Sequence, residues 1–445
     1  MNSKSLIIRK FISIVVITTL AILLIALFQK YFYEKKFRQF APAVVDHNST
    51  FAFKLYAQLQ DQPGNLFFSP YSISTLLAML YAGARADTAT QMAQVLNFPQ
   101  TPQEQENFHW VFGQLQQRIA KGQQRSVILD TANALWMETT SHFLPPFLEI
   151  IKHNYLAELH QVDFKQNIAE IVNAWVKNKT RGRITNLMAP RQINDLTELI
   201  LANAIYFKGK WTYPFEPKQT KEKRFWLNQE DHTQVPMMEL EDRFYYTKTD
   251  TIKILELPYG ESVSQFHSRS SVRREAFSMI ILLPNKRNGL AELENSLNAK
   301  QVDQWLSQMD RPREVQVLLP KFKMTTRLDL RTTLTQMGMP DAFSSKAADF
   351  SGLSTTPKFI SQLLHQAWVE VNEEGTEAVA ATVAAVANAA FDEEIQLFHA
   401  DHPFLFLIRH NPSQSILFLG RLVTPNSMGT MLFPNKNDAS IAPPK

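Results

Sequence analysis

Apolar positions along the chain follow two periods, and the dominant period changes between its halves. Ile73, Leu76, Leu77, Leu80 and Tyr81 fall on one helical face. Ser69 stands where an N-cap would, Pro70 suits a first helical position, and Gly83 supplies a stop, so the spacing predicts a helix from Pro70. A second helix is expected to open at Asp87 and carry Met92, Val95 and Leu96 inward. Thr197–Phe207 is apolar almost throughout and reads as a strand buried on both faces. Within Glu314–Leu319, Val315, Val317 and Leu319 share one side, as in a half-exposed strand. Phe277–Leu283, Ala367–Val371, Phe404–Ile408 and Ile416–Leu422 are further strand runs. Helices dominate the first half and strands the second, which predicts an α+β fold.

Phe11 to Phe28 is an uncharged run of eighteen residues, broken only by Ser13, Thr18 and Thr19. As a helix it would extend about 27 Å, nearly the hydrocarbon thickness of a bilayer. Tyr31, Phe32 and Tyr33 follow at the place of an interfacial belt, and Lys30 is positioned to snorkel. A cleaved signal peptide would need small residues just after the run, whereas Leu27-Phe28-Gln29-Lys30-Tyr31 stands there. We read residues 11–28 as an uncleaved anchor, with secretion after cleavage as the alternative. Basic residues flank both sides, so the charge rule does not orient the span. A lone N-terminal span ahead of a large domain usually delivers that domain out of the cytoplasm. The expected organisation is an anchor with basic flanks over 1–38, a linker over 39–47, one domain over 48–425 and a tail over 426–445. Glu261–Glu275, with Arg269, Arg273 and Arg274, reads as a solvated hairpin tip; the alternative is a protease-sensitive or polyanion-contacting loop.

Composition narrows the function. The chain has 445 residues, 45% of them hydrophobic and 20% charged, with 31 Phe and 7 Trp to fill a core. It contains no cysteine, which excludes disulfides, zinc–thiolate sites, iron–sulfur clusters and a cysteine nucleophile. Net charge is +4, but residues 1–38 carry seven basic side chains against Glu34, a local +6 that leaves −2 for the rest. The body therefore lacks the basic footprint of a nucleic-acid binder. Nucleophile-elbow, phosphate-loop, dinucleotide and zinc-protease motifs are all missing. His399, Asp401 and His402 form an H-x-D-H string too small for a metal site, and we expect no metal and no cofactor. Asn48-Ser49-Thr50 and Asn178-Lys179-Thr180 would be glycosylation acceptors only in a eukaryotic secretory setting.

Glu373–Ala390 reads EEGTEAVAATVAAVANAA. Propensity alone would make it a helix, yet a period-two reading is also clean. Thr376, Ala378, Ala380, Thr382, Ala384 and Val386 form one small, uncharged face. Glu377, Val379, Ala381, Val383, Ala385 and Ala387 form the other, with its one charge at the start. Such a segment can stand exposed as a loop or enter a sheet without burying a charge, and Gly375 gives it a permissive pivot.

Four blocks in order now become diagnostic: NLFFSPYSIS (65–74), LANAIYFKGKW (201–211), LHQAWVEVNEEGTEA (364–378) and HPFLFLIRHNPSQSILFLGRLVTP (402–425). Through them the chain resembles the serpins over nearly all of residues 48–424. The resemblance implies the serpin fold, with helices on a large central mixed sheet, smaller sheets and an exposed reactive-centre loop. It also implies suicide inhibition of a serine protease with no catalytic group of its own. The hinge would be Glu373, Glu374, Gly375, Thr376, Glu377, Ala378, Val379, Ala380, Ala381 and Thr382. Val379 departs from the family's usual small residue and, being on the outward face, is expected at most to slow insertion. The scissile bond would lie between Ala389 and Ala390, and a small residue there suits an elastase-like pocket. Ser69, Ser72, Asn203 and His365 would form the polar cluster beneath the sheet opening. Trp211 would stand at the point of first insertion, and Glu373 would pair with Lys321. Arg118 and Lys121 alone are too sparse for a heparin-type polyanion site, and we expect a monomer. The competing class is a non-inhibitory serpin acting as a membrane-tethered binding or chaperone protein. The small, uncharged run Ala378–Thr382 argues against it, and the missing motifs argue against a hydrolase.

Overall fold

A computed structural model of the chain describes residues 3–123, 126–190, 193, 197–261, 275–376, 394–425 and 430–432, with side chains between residues 14 and 425. Its first helix, α1, runs unbroken over Ser3–Leu59. Large apolar side chains from Ile14 to Phe28 are 46–66% exposed, so this end touches nothing of the body. Residues 39–47, expected as a linker, are helix instead. The reason is a spacing of three and four that continues past the charged stretch, through Phe37, Phe40, Ala41, Val44, Phe51 and Leu55. Ala41 and Val44 are buried, and Phe37 and Phe40 pack against the core. Pro42 removes one intrahelical hydrogen bond, a loss that this packing outweighs.

Helix α2 (Pro70–Tyr81) starts at Ser69, whose hydroxyl accepts from the Ser72 amide at 3.1 Å. All twelve of its residues are buried, not one face only, because it runs between strands of two sheets and α1. Helix α3 (Ala86–Leu96) begins one residue before Asp87 and buries Met92, Val95 and Leu96. Helix α4 (Pro102–Gly122) is capped by Thr101 and buries Phe108, Val111, Phe112, Leu115 and Ile119.

Among the described residues, seven strands form the mixed sheet that carries the site: β1 (Val127–Glu138), β2 (Glu158–Val162), β3 (Leu199–Lys210), β4 (Phe322–Asp329), β5 (Ile360–Asn372), β6 (Gly375–Thr376) and β7 (Thr430–Leu432). Across the sheet the order is β7, β4, β5, β6, β3, β1, β2, with β5 and β3 also paired directly. The run read as a doubly buried strand is β3, whose first nine residues are buried. Part of the C-terminal tail, to which no structure was assigned, is β7; it pairs parallel to the outer strand β4 at Thr326, Arg327 and Leu328.

A second sheet, nine-stranded among the described residues, includes the runs Phe277–Pro284, Pro312–Pro320, Phe404–His410 and Ser415–Leu422. Pro312–Pro320 alternates only in its first half; Val317 to Pro320 are buried on both faces. Glu261–Glu275 joins two antiparallel strands that close with Tyr259 opposite Phe277, and its residues 262–274 lie outside those described. Aromatic rings fill the space between the sheets. Phe67 stacks on Phe418 at 5.1 Å, and Phe207 meets Tyr259 at 5.0 Å. Burying each such ring contributes roughly 1.5–3 kcal/mol.

Gly420 marks how tight this layer is. A Cβ there would come within 2.3 Å of the Phe406 ring, which is itself packed among Phe67, Phe322 and Phe404. Gly420→Ala should therefore lower folding stability by about 1–3 kcal/mol through overpacking. A urea midpoint equal to that of the unaltered protein would mean that the ring swings aside freely.

Candidate functional site

The sheet places three polar side chains in one row across three strands. Asn133 of β1 lies opposite Asn203 of β3, and Asn203 lies opposite His365 of β5. All three are buried. The N-terminus of α2 lies against the same row. The Ser69 amide donates to His365 Nε2 at 3.1 Å, and the Ser69 hydroxyl donates to the Leu417 carbonyl at 2.6 Å. Asn203 Nδ2 donates to Ser72 Oγ and Asn133 Oδ1, while Asn203 Oδ1 accepts from His365 Nδ1. An amide can only donate, so His365 Nε2 must accept, which leaves Nδ1 to carry the proton. The ring is neutral: burial pushes His365 down to about 3. Ser69, Ser72, Asn203 and His365 thus meet in one hydrogen-bonded cluster that ties α2 to strands of both sheets.

Asn133 belongs to this cluster and was missed. It sits in Ala132-Asn133-Ala134, the same triplet as Ala202-Asn203-Ala204, and an isolated Asn in each of two apolar strands is the signal that would have found it. Its Nδ2 is buried without a hydrogen-bond partner among the described residues.

Higher in the sheet, β5 ends at Asn372, and Glu373 and Glu374 turn the chain back. Gly375 and Thr376 then form β6, lodged between β5 and β3 and antiparallel to both. Immediately below, β5 and β3 pair with each other in parallel from Trp368 opposite Tyr206 down to Ile360 opposite Leu199. Trp211 holds the turn from the side: its amide donates to the Glu374 carbonyl at 2.9 Å and its Nε1 to the Asn372 carbonyl at 3.0 Å. Its ring stacks on Tyr259 at 4.5 Å, and the Tyr259 hydroxyl lies 2.7 Å from Thr376 Oγ1. Thr376 is fully buried. Gly375 has φ +149°, and a Cβ on it would stand 2.0 Å from the Gly209 carbonyl oxygen, so only glycine fits.

Lys321 Nζ lies 2.8 Å from Glu373 Oε2, and Thr220 donates to the same carboxylate at 2.9 Å. Burial would raise the Glu373 pKa; hydrogen bonds from Lys321, the backbone and Thr220 outweigh it and hold the group below the usual carboxylate range. Tyr259 and Thr220 carry no local signal, because their partners are far away in sequence. Glu377, Ala378, Val379, Ala380, Ala381, Thr382, Ala389 and Ala390 lie outside the described residues. His402 pairs with Asp401 at 2.7 Å and with the Pro284 carbonyl at 2.8 Å, a capping role in the nine-stranded sheet.

The neutral His365 makes a pH prediction. Its folded pKa, about 3, lies below the ordinary 6.5, so the unfolded chain takes up a proton first as pH falls. Stability is full above about pH 6.5 and should fall by about 1.4 kcal/mol per pH unit between 6.5 and 3 on this group's account. Urea midpoints of His365→Gln should decline less steeply with acid by that amount; parallel declines would mean that the ring is not held neutral.

Residues 46–425 match the family model described as Serpin (serine protease inhibitor). The chain is 39% identical over 387 residues to the leukocyte elastase inhibitor of Xenopus laevis, covering 84% of this chain and 97% of that protein. It is 38% identical over 391 residues to the human leukocyte elastase inhibitor, covering 85% and 98%. Among solved structures it resembles Serpin48 of the insect Tenebrio molitor, at 32% identity and TM-score 0.72, covering 87% of this chain and 99% of that one. The matched segment holds the seven-stranded sheet up to β6, the polar row and the Glu373–Thr376 turn, and on these grounds the chain belongs to the serpin family.

Proposed function

We propose that this protein is a suicide inhibitor of an elastase-like serine protease, carried on a membrane by α1. The observation that supports this most is β6. Two residues of the bait already stand as a strand between β3 and β5, antiparallel to both, above a parallel ladder that a longer β6 would replace. The protease serine attacks the Ala389 carbonyl, the Ala390 amine leaves, and an acyl-enzyme remains. The freed segment then lengthens β6. Fourteen residues, 376–389, reach about 46 Å at 3.3 Å each, which matches the thirteen residues of β5 alongside. One parallel ladder becomes two antiparallel ones, which are more stable per residue. The tethered protease is dragged along, its oxyanion site is distorted, and deacylation stops.

Ala389 favours a shallow primary pocket, and similarity to leukocyte elastase inhibitors points the same way. The exposed apolar end of α1 is long enough to cross a bilayer. Because the helix continues into the core, we read the span as retained, with the body extracytoplasmic.

Incubation with elastase should give a complex stable to denaturing gel electrophoresis, and mass spectrometry should find a released fragment beginning at Ala390. Faster inhibition of trypsin would overturn the assignment of Ala389.

Thr382→Arg should convert the inhibitor into a substrate, because lengthening β6 would carry its charge into the sheet on the face that Thr376 already buries, at a cost of several kcal/mol. Complex yield equal to that of the unaltered protein would remove insertion through this residue.

A further inference from the structure

Where α1 leaves its apolar run, α4 grips it. Tyr33 stacks on Trp110 at 5.9 Å, and Lys36 Nζ lies 4.7 Å over the same ring. Glu34 pairs with Arg118 at 2.7 Å, and the Arg118 guanidinium lies 3.9 Å over the Phe37 ring. These contacts set a depth. Tyr33 follows Phe28 by five residues and Phe37 follows it by nine, so on a helix they lie about 7.5 and 13.5 Å beyond the end of the run. Headgroups occupy roughly the first 5–8 Å beyond the hydrocarbon.

The contacts also set a direction. Trp110 and Arg118 are about 12 Å apart along α4. Their partners on α1, Tyr33 with Lys36 and Glu34 with Phe37, are offset by a single residue, about 1.5 Å. Helix α4 therefore crosses α1 steeply, and it lies along the membrane plane when α1 spans upright.

We propose that α4 is a membrane-surface element, clamped to α1 just outside the headgroup layer so that its near side, about 5 Å from its axis, reaches the outer headgroups, and the body is held against the bilayer in one orientation. The proposal rests on the reading of α1 as an anchor. Its partner is the anionic headgroup layer of the bilayer that α1 crosses. Lys30, Lys35 and Arg38 on α1, about 3, 10.5 and 15 Å beyond Phe28, and Lys121 near the end of α4 are exposed. Glu104 and Glu106 stand at the other end of α4, and Glu34 is neutralised by Arg118. Trp110 and Tyr33 are the residue types that settle at such an interface.

The chain has no cysteine, so Gln117→Cys, on the exposed side of α4, carries a single fluorophore. The full chain is reconstituted into phosphatidylcholine–phosphatidylserine vesicles that bear an acceptor on a fraction of headgroups, and flotation is measured alongside energy transfer. We expect flotation with strong transfer, a roughly twofold loss of transfer in Arg118→Glu with Trp110→Ala, and recovery when Glu34→Arg restores the pair to Arg118→Glu. A chain that floats with weak transfer, or with transfer indifferent to these substitutions, overturns the clamp and leaves the anchor standing. A chain that stays in the soluble fraction overturns the anchor, and the clamp falls with it.

Discussion

The molecule is organised around one contact, the parallel ladder between β3 and β5. Parallel neighbours are joined through long crossovers, and their slanted hydrogen bonds make them the weaker kind of pairing. Here the ladder is interrupted near its end by β6, which is antiparallel to both strands. Two arrangements of the same strands therefore share one molecule, with the junction at Trp368 and Tyr206, whose rings stand 6.0 Å apart. Moving that junction down the sheet makes more antiparallel ladder. The chain that leaves β6 is held again at Gln396–His399, which pairs in the nine-stranded sheet with Val315–Leu318.

The row of Asn133, Asn203 and His365 lies across the path of any such movement. Apolar side chains in those positions would pack well, but they would not choose a register. The hydrogen bonds bind β1, β3 and β5 to one another and to the first turn of α2, so separating β3 from β5 must break the His365–Asn203 bond. Buried polar groups are costly when left unpaired, which makes the row a threshold as well as a fastening. Its cost would fall on any state in which β3 and β5 are parted, since the separated groups would need new partners.

Much of this was legible in the residues. Strand β3 could be read from a run too apolar for anything but a doubly buried strand, and Ser69 with Pro70 placed the start of α2. The polar cluster and the hinge were reached through family resemblance, whereas Asn133 needed only a comparison of two Ala-Asn-Ala triplets. Tyr259 was out of reach, because its partner Thr376 is 117 residues away and a Pro-Tyr-Gly corner looks like any turn. The continuity of α1 was obscured by Pro42 and by clustered charges that resemble a boundary, although the three-and-four spacing ran on beneath them. Strand β7 is three residues long, too short for any period to declare itself.

That short strand changes what the rim of the main sheet offers to the outside. An outermost strand presents a row of amide and carbonyl groups to which foreign chains can adhere. On β4, the stretch Thr326–Leu328 is taken by the protein's own C-terminal segment, leaving Phe322–Thr325 and Asp329 without an outer neighbour among the described residues. Proteolytic removal of β7 would thus do more than shorten a tail: it would lengthen the adhesive margin of the sheet.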